Sequence, residues 1–414
     1  MGFLDSYPIR KLLAFERKLA KHSDQFVLMR YLGILFAIRN DSTASVLGRT
    51  VWNCYRCVLL FNFGTFCYKV YWTLSTWDYS TSATSVLATA LIVVGGLVRV
   101  LIFDRPVQIR LVRFLNDRSY RAHDQETVTS RLRLQRLNNR MMVLVFVSLL
   151  LEALWFLQSS LSMQPEFMLH YRGQKVGGPA VQKVYQCTTC CWTVIYIAVS
   201  VFIYMMLSVF RGEMAILVQS FANLGQCFER YPVDQDIALE ATFYLELQNQ
   251  LNVCIKRHAE LLENLYEFFS TLAPFCFVQY YGTFMLLAIC CAIVTFNGLS
   301  WILLVHFVFI GFLVLESFLL YRSIDILNEL HLSIGTTLYN LNWNHGLRYS
   351  KRFALNYRNL RQSLLIVMLR AQTPFRLRVT GYGTFSINRF AELINSSYSM
   401  FTILRQFRTQ TGSK

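Results

Sequence analysis

GYGTFSINRFAELINSSYSMFTILRQF, residues Gly381–Phe407, is long enough to cross a bilayer as a helix, and it is the least lipid-like segment of that length in the chain. At 3.6 residues per turn, Asn388, Glu392, Asn395, Ser399 and Thr402 fall on one another's face and form a continuous polar stripe. Phe385, Phe390, Ile394, Tyr398, Phe401 and Leu404 occupy much of the rest. A charge at the centre of a span costs about 2.5–3.5 kcal/mol on insertion scales, so such groups face protein or a water-filled path. Two readings stay open. The stripe lines a pore, or Glu392 and Arg389 sit at the membrane interface while the amides bridge to neighbouring helices.

Outward from this segment the chain is apolar. Hydrophobic residues make up 54% of its 414 positions and the mean hydropathy is +0.37, which excludes an ordinary soluble domain and defines an all-α integral membrane protein. Further spans are expected near Val51–Trp72, Ala83–Phe103, Met141–Ser160, Tyr185–Phe210, Ala273–Phe296 and Ser300–Tyr321, which with the terminal segment makes seven. Phe26–Ile38, interrupted by Arg30, reads as an interfacial or re-entrant helix. The expected organisation is a basic segment 1–49, spans one to four over 50–210, a helical extension 211–272, spans five and six over 273–321, a second helical segment 322–380, the terminal span 381–407 and a tail 408–414.

The charge of +16 gives orientation rather than a nucleic-acid partner. The segments before span one and between spans two and three, four and five, and six and seven hold 8, 9, 4 and 9 Lys and Arg; the other loops and the tail hold 0, 3, 0 and 2. Positive charge stays on the cytoplasmic side, so the N-terminus is expected inside and the C-terminus outside. That places Asn40-Asp41-Ser42 away from the glycosylation machinery. Outside the membrane, Leu245, Leu251, Ile255, Leu261, Leu262 and Leu265 recur at helical spacing, as do Leu327, Leu330, Leu338, Leu360, Leu364, Leu365 and Met368. These stripes must be buried, within one subunit or in an intracellular platform where subunits meet.

Sequence motifs exclude several chemistries. Met1–Lys21 lacks the apolar core of a removable signal peptide, while Met1-Gly2 with Ser6 fits the myristoylation pattern. Cys54/Cys57 and Cys187/Cys190 have metal-like spacing but no neighbouring histidines, and read as small apolar packing groups. No phosphate loop, zinc-protease helix or nucleophile elbow is present. No paired intramembrane charges are evident, which argues against a transporter or membrane enzyme. No cofactor is expected.

Cys254-Ile255 with His258 and Leu261-Leu262 resembles a signature of the insect odorant receptors. Tyr339-x-x-x-Trp343, Arg370-Ala371-Gln372-Thr373-Pro374, Ser397-Tyr398-Ser399-Met400-Phe401-Thr402 and Arg30-Tyr31-Leu32-Gly33 resemble the same family, so the likeness spans nearly the whole chain. The related gustatory receptors end in Thr-Tyr, five apolar positions and Gln-Phe; here Ser397-Tyr398 and Gln406-Phe407 stand two residues too far apart. A G-protein-coupled receptor is disfavoured because Glu229-Arg230-Tyr231 follows span four, not span three.

The resemblance implies an odour-specific subunit of a ligand-gated, non-selective cation channel in the plasma membrane of a sensory dendrite, in a heterotetramer with co-receptor subunits. A gustatory-receptor-like homomeric channel is the alternative. Its partners would be a small volatile odorant, the co-receptor, the lipid bilayer and permeant cations, with no nucleic acid. The gate positions that the resemblance implies are Phe401 and Leu404, with Arg405 beside them an unusual residue in a cation path; about one helical step away, the polar stripe adds Asn395, Ser399 and Thr402 as pore candidates. The implied ligand site lies in the outer half of the bundle, with Val86, Thr89, Leu151, Trp155, Ser159, Thr189, Trp192, Tyr196, His306 and Phe309 as candidates. An apolar, aromatic pocket with few polar groups suits a volatile ligand.

Overall fold

Residues 24–33, 46–76, 81–158, 167–230, 237–296, 301–341, 343–347, 349–375, 377–379 and 383–411 are described by a computed structural model. In order they form α1 Val27–Gly33, α2 Val46–Ser75, α3 Thr81–Phe103, α4 Pro106–Asn116, α5 Gln125–Gln158, the ribbon β1 His170–Tyr171 with β2 Gln174–Lys175, and α6 Pro179–Asn223. There follow α7 Gly225–Arg230, α8 Ile237–Phe296, α9 Trp301–Asn340, α10 Trp343–Gly346, α11 Ala354–Ala371, the ribbon β3 Arg378–Val379 with β4 Gly383–Thr384, and α12 Ile387–Thr411. Both ribbons are antiparallel.

α6 is apolar on every side, and a helix of that kind belongs at the centre of a bundle. It packs against α9, α3, α5, α8 and α2. Close approach of α3 depends on Gly95 and Gly96, where a Cβ would stand 2.9 Å from Tyr196 Cε2 and 3.2 Å from Trp192 Cε3. Among the described residues, α3, α5, α6, α8 and α9 each contain a stretch long and apolar enough to cross a membrane.

Three helices are much longer than a bilayer needs. α8 has 60 residues and α9 has 40, lengths of about 90 and 60 Å, against an apolar core of about 30 Å. Their excess lies at one end with that of α6. There Arg131 of α5 grips Glu213 of α6 at 2.7 and 2.8 Å, and Arg257 of α8 reaches the same carboxylate at 3.0 Å. All three are buried. His258 of α8 and His331 of α9 also meet at this end, ring centres 5.5 Å apart.

Leu251, Leu261, Leu262, Leu265, Leu327, Leu338, Leu360 and Leu364 are buried at this end. Leu245 and Leu365 are not; they point outward, because the repeating faces are narrower than the leucine pattern suggests. Gly335 of α9 lies against Ala371 of α11, where a Cβ on Gly335 would make ordinary contact at 3.6 Å with that of Ala371.

Two local expectations need correction. The terminal helix begins at Ile387, not Gly381, because Gly383 takes φ +89° in a short ribbon before it. Cys54, Cys57 and Cys187 face outward instead of packing inside. The helix expected over Phe26–Ile38 is described only from Val27 to Gly33. Gly2, Ser6 and Asn40 lie outside the described residues.

Candidate functional site

One polar cluster is buried inside the apolar bundle. Arg99, one turn past Gly95-Gly96 on α3, is fully buried, and its guanidinium lies 3.4 Å above the Tyr196 ring. Its Nη1 donates to the Tyr196 carbonyl at 2.8 Å, to Ser200 Oγ at 3.2 Å and to Glu316 Oε1 of α9 at 2.8 Å. Its Nη2 donates to Gln279 Oε1 of α8, and Ser200 Oγ donates to Glu316 Oε1. Gln279 Nε2 donates in turn to Thr283 Oγ1 at 3.1 Å and Ser317 Oγ at 3.2 Å. One arginine thus joins α3, α6, α8 and α9.

This cluster corrects the reading that paired intramembrane charges are lacking: Arg99 and Glu316 form such a pair. Their burial is tolerable because the opposite charges lie at contact distance and further hydrogen bonds hold both groups. A lone arginine and a lone glutamate in two apolar runs are each a signal, since intramembrane charges are kept where they have a task. No group of three or more metal-type ligands occurs among the described residues.

The sequence-predicted ligand residues divide by placement. Val86, Thr189, Trp192, Tyr196 and Phe309 are buried. Tyr196 and Phe309 share one apolar cluster with Leu149 and Leu313. Trp192 packs over Gly96. Thr189 turns its hydroxyl to the Tyr185 carbonyl at 3.0 Å, and Thr89 is half-buried. On α5, Trp155 is half-buried whereas Leu151 is 61% exposed on the outward face. Ser159 and the His306 side chain lie outside the described residues.

α12 presents Leu393 and Ser397 to the bundle. Asn388, Glu392, Asn395 and Ser399 lie on its exposed face, with Arg405 exposed further along and Phe401, Thr402 and Leu404 partly so. Tyr398, assigned to the apolar remainder by its chemistry, is 66% exposed beside the stripe. Ser399 Oγ and Thr402 Oγ1 donate back to the carbonyls of Asn395 and Ser399 at 3.0 and 2.6 Å, so each hydroxyl has an acceptor within its own helix. α12 is tied to α9 at its start. The Ile387 N–H donates to Asp325 Oδ2 at 2.9 Å, and Tyr321 stacks on Phe385 with centres 3.9 Å apart.

Five apolar helices around a buried polar centre define a multi-pass helical membrane protein. The chain belongs to the insect odorant receptors, a receptor family and not an enzyme family: the family described as 7tm Odorant receptor matches residues 112–398. Odorant receptor Or2 of Anopheles gambiae is 26% identical over 161 residues, a match spanning 38% of this chain and 39% of that relative. The olfactory receptor OR5 of Machilis hrabei in complex with eugenol superposes with a TM-score of 0.69 at 12% identity, covering 96% of this chain and 99% of that one. A second structure of that receptor gives 0.66 at 13% identity, covering 93% and 100%. These two likenesses carry the fold.

Proposed function

We propose that this chain is an odour-specific subunit of a ligand-gated cation channel, assembled with co-receptor subunits in a heterotetramer of the plasma membrane of sensory dendrites. The observation that carries the reading is α12, whose polar stripe faces away from its own bundle while its start is held by α9. A polar face on a membrane helix needs a wet path or a neighbour, and a ring of such helices around a central axis supplies the path. Phe401 and Leu404 would form an apolar constriction that wets on opening, beside Asn395, Ser399 and Thr402. Arg405, near the outer end, would repel cations unless its charge is held by a neighbour.

Seven spans with the N-terminus inside remain the topology that best fits the charge distribution, α2 and α12 completing the five most apolar helices. The long ends of α6, α8 and α9 would then form a cytoplasmic platform between subunits. The ligand, a small volatile molecule, would enter the outer half of the bundle near Val86, Thr89, Trp155, Thr189, Trp192, Tyr196 and Phe309. Support comes from the burial of most of these side chains, and from the eugenol complex of the Machilis hrabei receptor of the same fold.

The deciding experiment records odorant-evoked current from cells expressing the chain with and without a co-receptor, under block of G-protein signalling. A rapid cation current that needs the co-receptor and survives the block is expected. Current from the chain alone would favour the homomeric alternative, and its loss under the block would remove the channel reading.

A further inference from the structure

A cavity lies next to the outer-half residues, on the side of the long-helix end of the bundle. It has a volume of about 150 Å³ and is enclosed by α5, α6 and α9, with Phe275 of α8 at its back. Val145, Val201 and Phe312 give it an apolar lining, and Ser200 and Glu316 stand together among the lining residues. Tyr204, another lining residue, is twelve positions beyond Trp192 on α6, about 18 Å along the helix. Ile197, at its outer edge, follows Tyr196, and Val145, Val201 and Phe312 pack against the apolar cluster that holds Tyr196 and Phe309, so the space runs from beside that group toward the long-helix end.

Glu316 is nine-tenths buried and only half used. Its Oε1 takes Arg99 and Ser200, whereas its Oε2, also shielded, has no hydrogen-bond partner among the described residues. A buried carboxylate oxygen without a donor is costly, and a donor brought to it recovers that cost. The opposite end of the chemistry is equally defined. A cavity of this size with apolar walls accommodates a benzene-sized body.

Access is lateral. Leu144 and Leu315, both lining residues, are exposed on the outward faces of α5 and α9. In a bilayer that opening faces lipid, where small apolar molecules concentrate.

We propose that this cavity is a binding site for small amphipathic alcohols and phenols, which reach it from the membrane, fill it with an apolar body and donate the hydroxyl to Glu316 Oε2. A neutral donor suits the site because Arg99 already balances the carboxylate charge. An ammonium would leave one positive charge in excess, in an apolar surround. Occupancy would act on the same carboxylate that joins α3 to α9, so the site is placed to modulate the response to an outer-half ligand. The binding claim rests on the membrane reading of this chain and not on its being a channel.

The test is photolabelling of the full chain, purified in detergent, with a benzyl alcohol bearing a diazirine, and mapping of the labelled peptides by mass spectrometry. Saturable labelling is expected within residues 138–145, 200–205 or 312–320. Free benzyl alcohol should displace it at concentrations about tenfold lower than toluene, which has the same body without the donor. Val201→Trp, which fills the cavity, should abolish that labelling, with Val145→Trp as the second filling variant if the first does not fold. The wild-type map decides by itself where neither folds. Labelling that maps, residue by residue, only to Trp192, Phe309 or the positions beside them, labelling that does not saturate, or equal displacement by toluene would overturn the proposal. Because no current is measured, a failed channel assay and a failed binding assay remain distinguishable.

Discussion

Arg99 shows how much one side chain can organise here. Its three-helix partners are reached only because Gly95 and Gly96 let α3 approach α6 closely enough for the guanidinium to lie on Tyr196. We predict that Arg99→Met strands the Glu316 carboxylate and destabilises the fold by about 3–5 kcal/mol, the usual result of breaking a buried pair from one side. Surface abundance and the thermal midpoint in detergent would both fall. Adding Glu316→Leu should recover much of the loss, since two apolar partners no longer bury a charge; no recovery would mean that Arg99 acts mainly through its other hydrogen bonds. Trp155 carries a different expectation. If an odorant packs on its indole, Trp155→Ala removes about 2 kcal/mol of contact and raises half-maximal concentrations more than tenfold, unequally among agonists. Equal potency ratios at matched surface expression would make it a packing residue.

At the scale of elements, hydrophobic runs located the helices well because length and apolarity are local properties: α3, α6 and α8 contain the stretches read as spans, and α5 and α9 contain theirs apart from ends that lie outside the described residues. The site was less legible. Arg99 and Glu316 are 217 positions apart, and no periodicity within either helix announces that they meet. The exposed face of α12 was readable at Asn388, Glu392, Asn395 and Ser399 but not at Tyr398, and its start was not readable, because the ribbon at Gly383 depends on backbone conformation rather than side-chain pattern. Asp325 is the joint that a one-dimensional pattern misses. It caps α12 from α9, where its charge also opposes the positive end of the helix. Asp325→Ala should cost about 1 kcal/mol locally, so amide exchange at Ile387–Phe390 should accelerate about fivefold while exchange at Leu393 and beyond changes little. Asn in its place should restore most of the protection. Unchanged exchange in the Ala variant would show that the Tyr321–Phe385 stack holds the helix start without the cap.

For the molecule as a whole, the long-helix end is held together by buried polar groups, and this makes its stability depend on pH. His258 of α8 faces His331 of α9 and Phe221 of α6, with Arg370 of α11 nearby and His331 against Phe375. Burial first, then the like charges of His331 and Arg370, lower its pKa from 6.5 to about 4. Burial lowers that of His331 as well, against hydrogen bonds with the backbone of Arg370 and Thr373. Both rings are therefore neutral in the folded chain at pH 7. An unfolded chain takes up their protons near pH 6.5, whereas the folded one resists until the pH is well below that. The stabilisation is present in full above about pH 6.5 and is lost as the pH falls toward 4, with a slope of up to about 1.4 kcal/mol per pH unit for each ring. The full chain in detergent should show a flat thermal midpoint from pH 8 to 7 and a decline between pH 6.5 and 5, a window above the range in which ordinary carboxylates titrate. His258→Gln removes one titrating ring and keeps a polar side chain of similar reach, so the decline should become shallower even though the midpoint at pH 7.5 is lower. A variant whose midpoint falls in parallel with the wild type through that window would show that neither His258 nor its contact with His331 sets the acid sensitivity of this end.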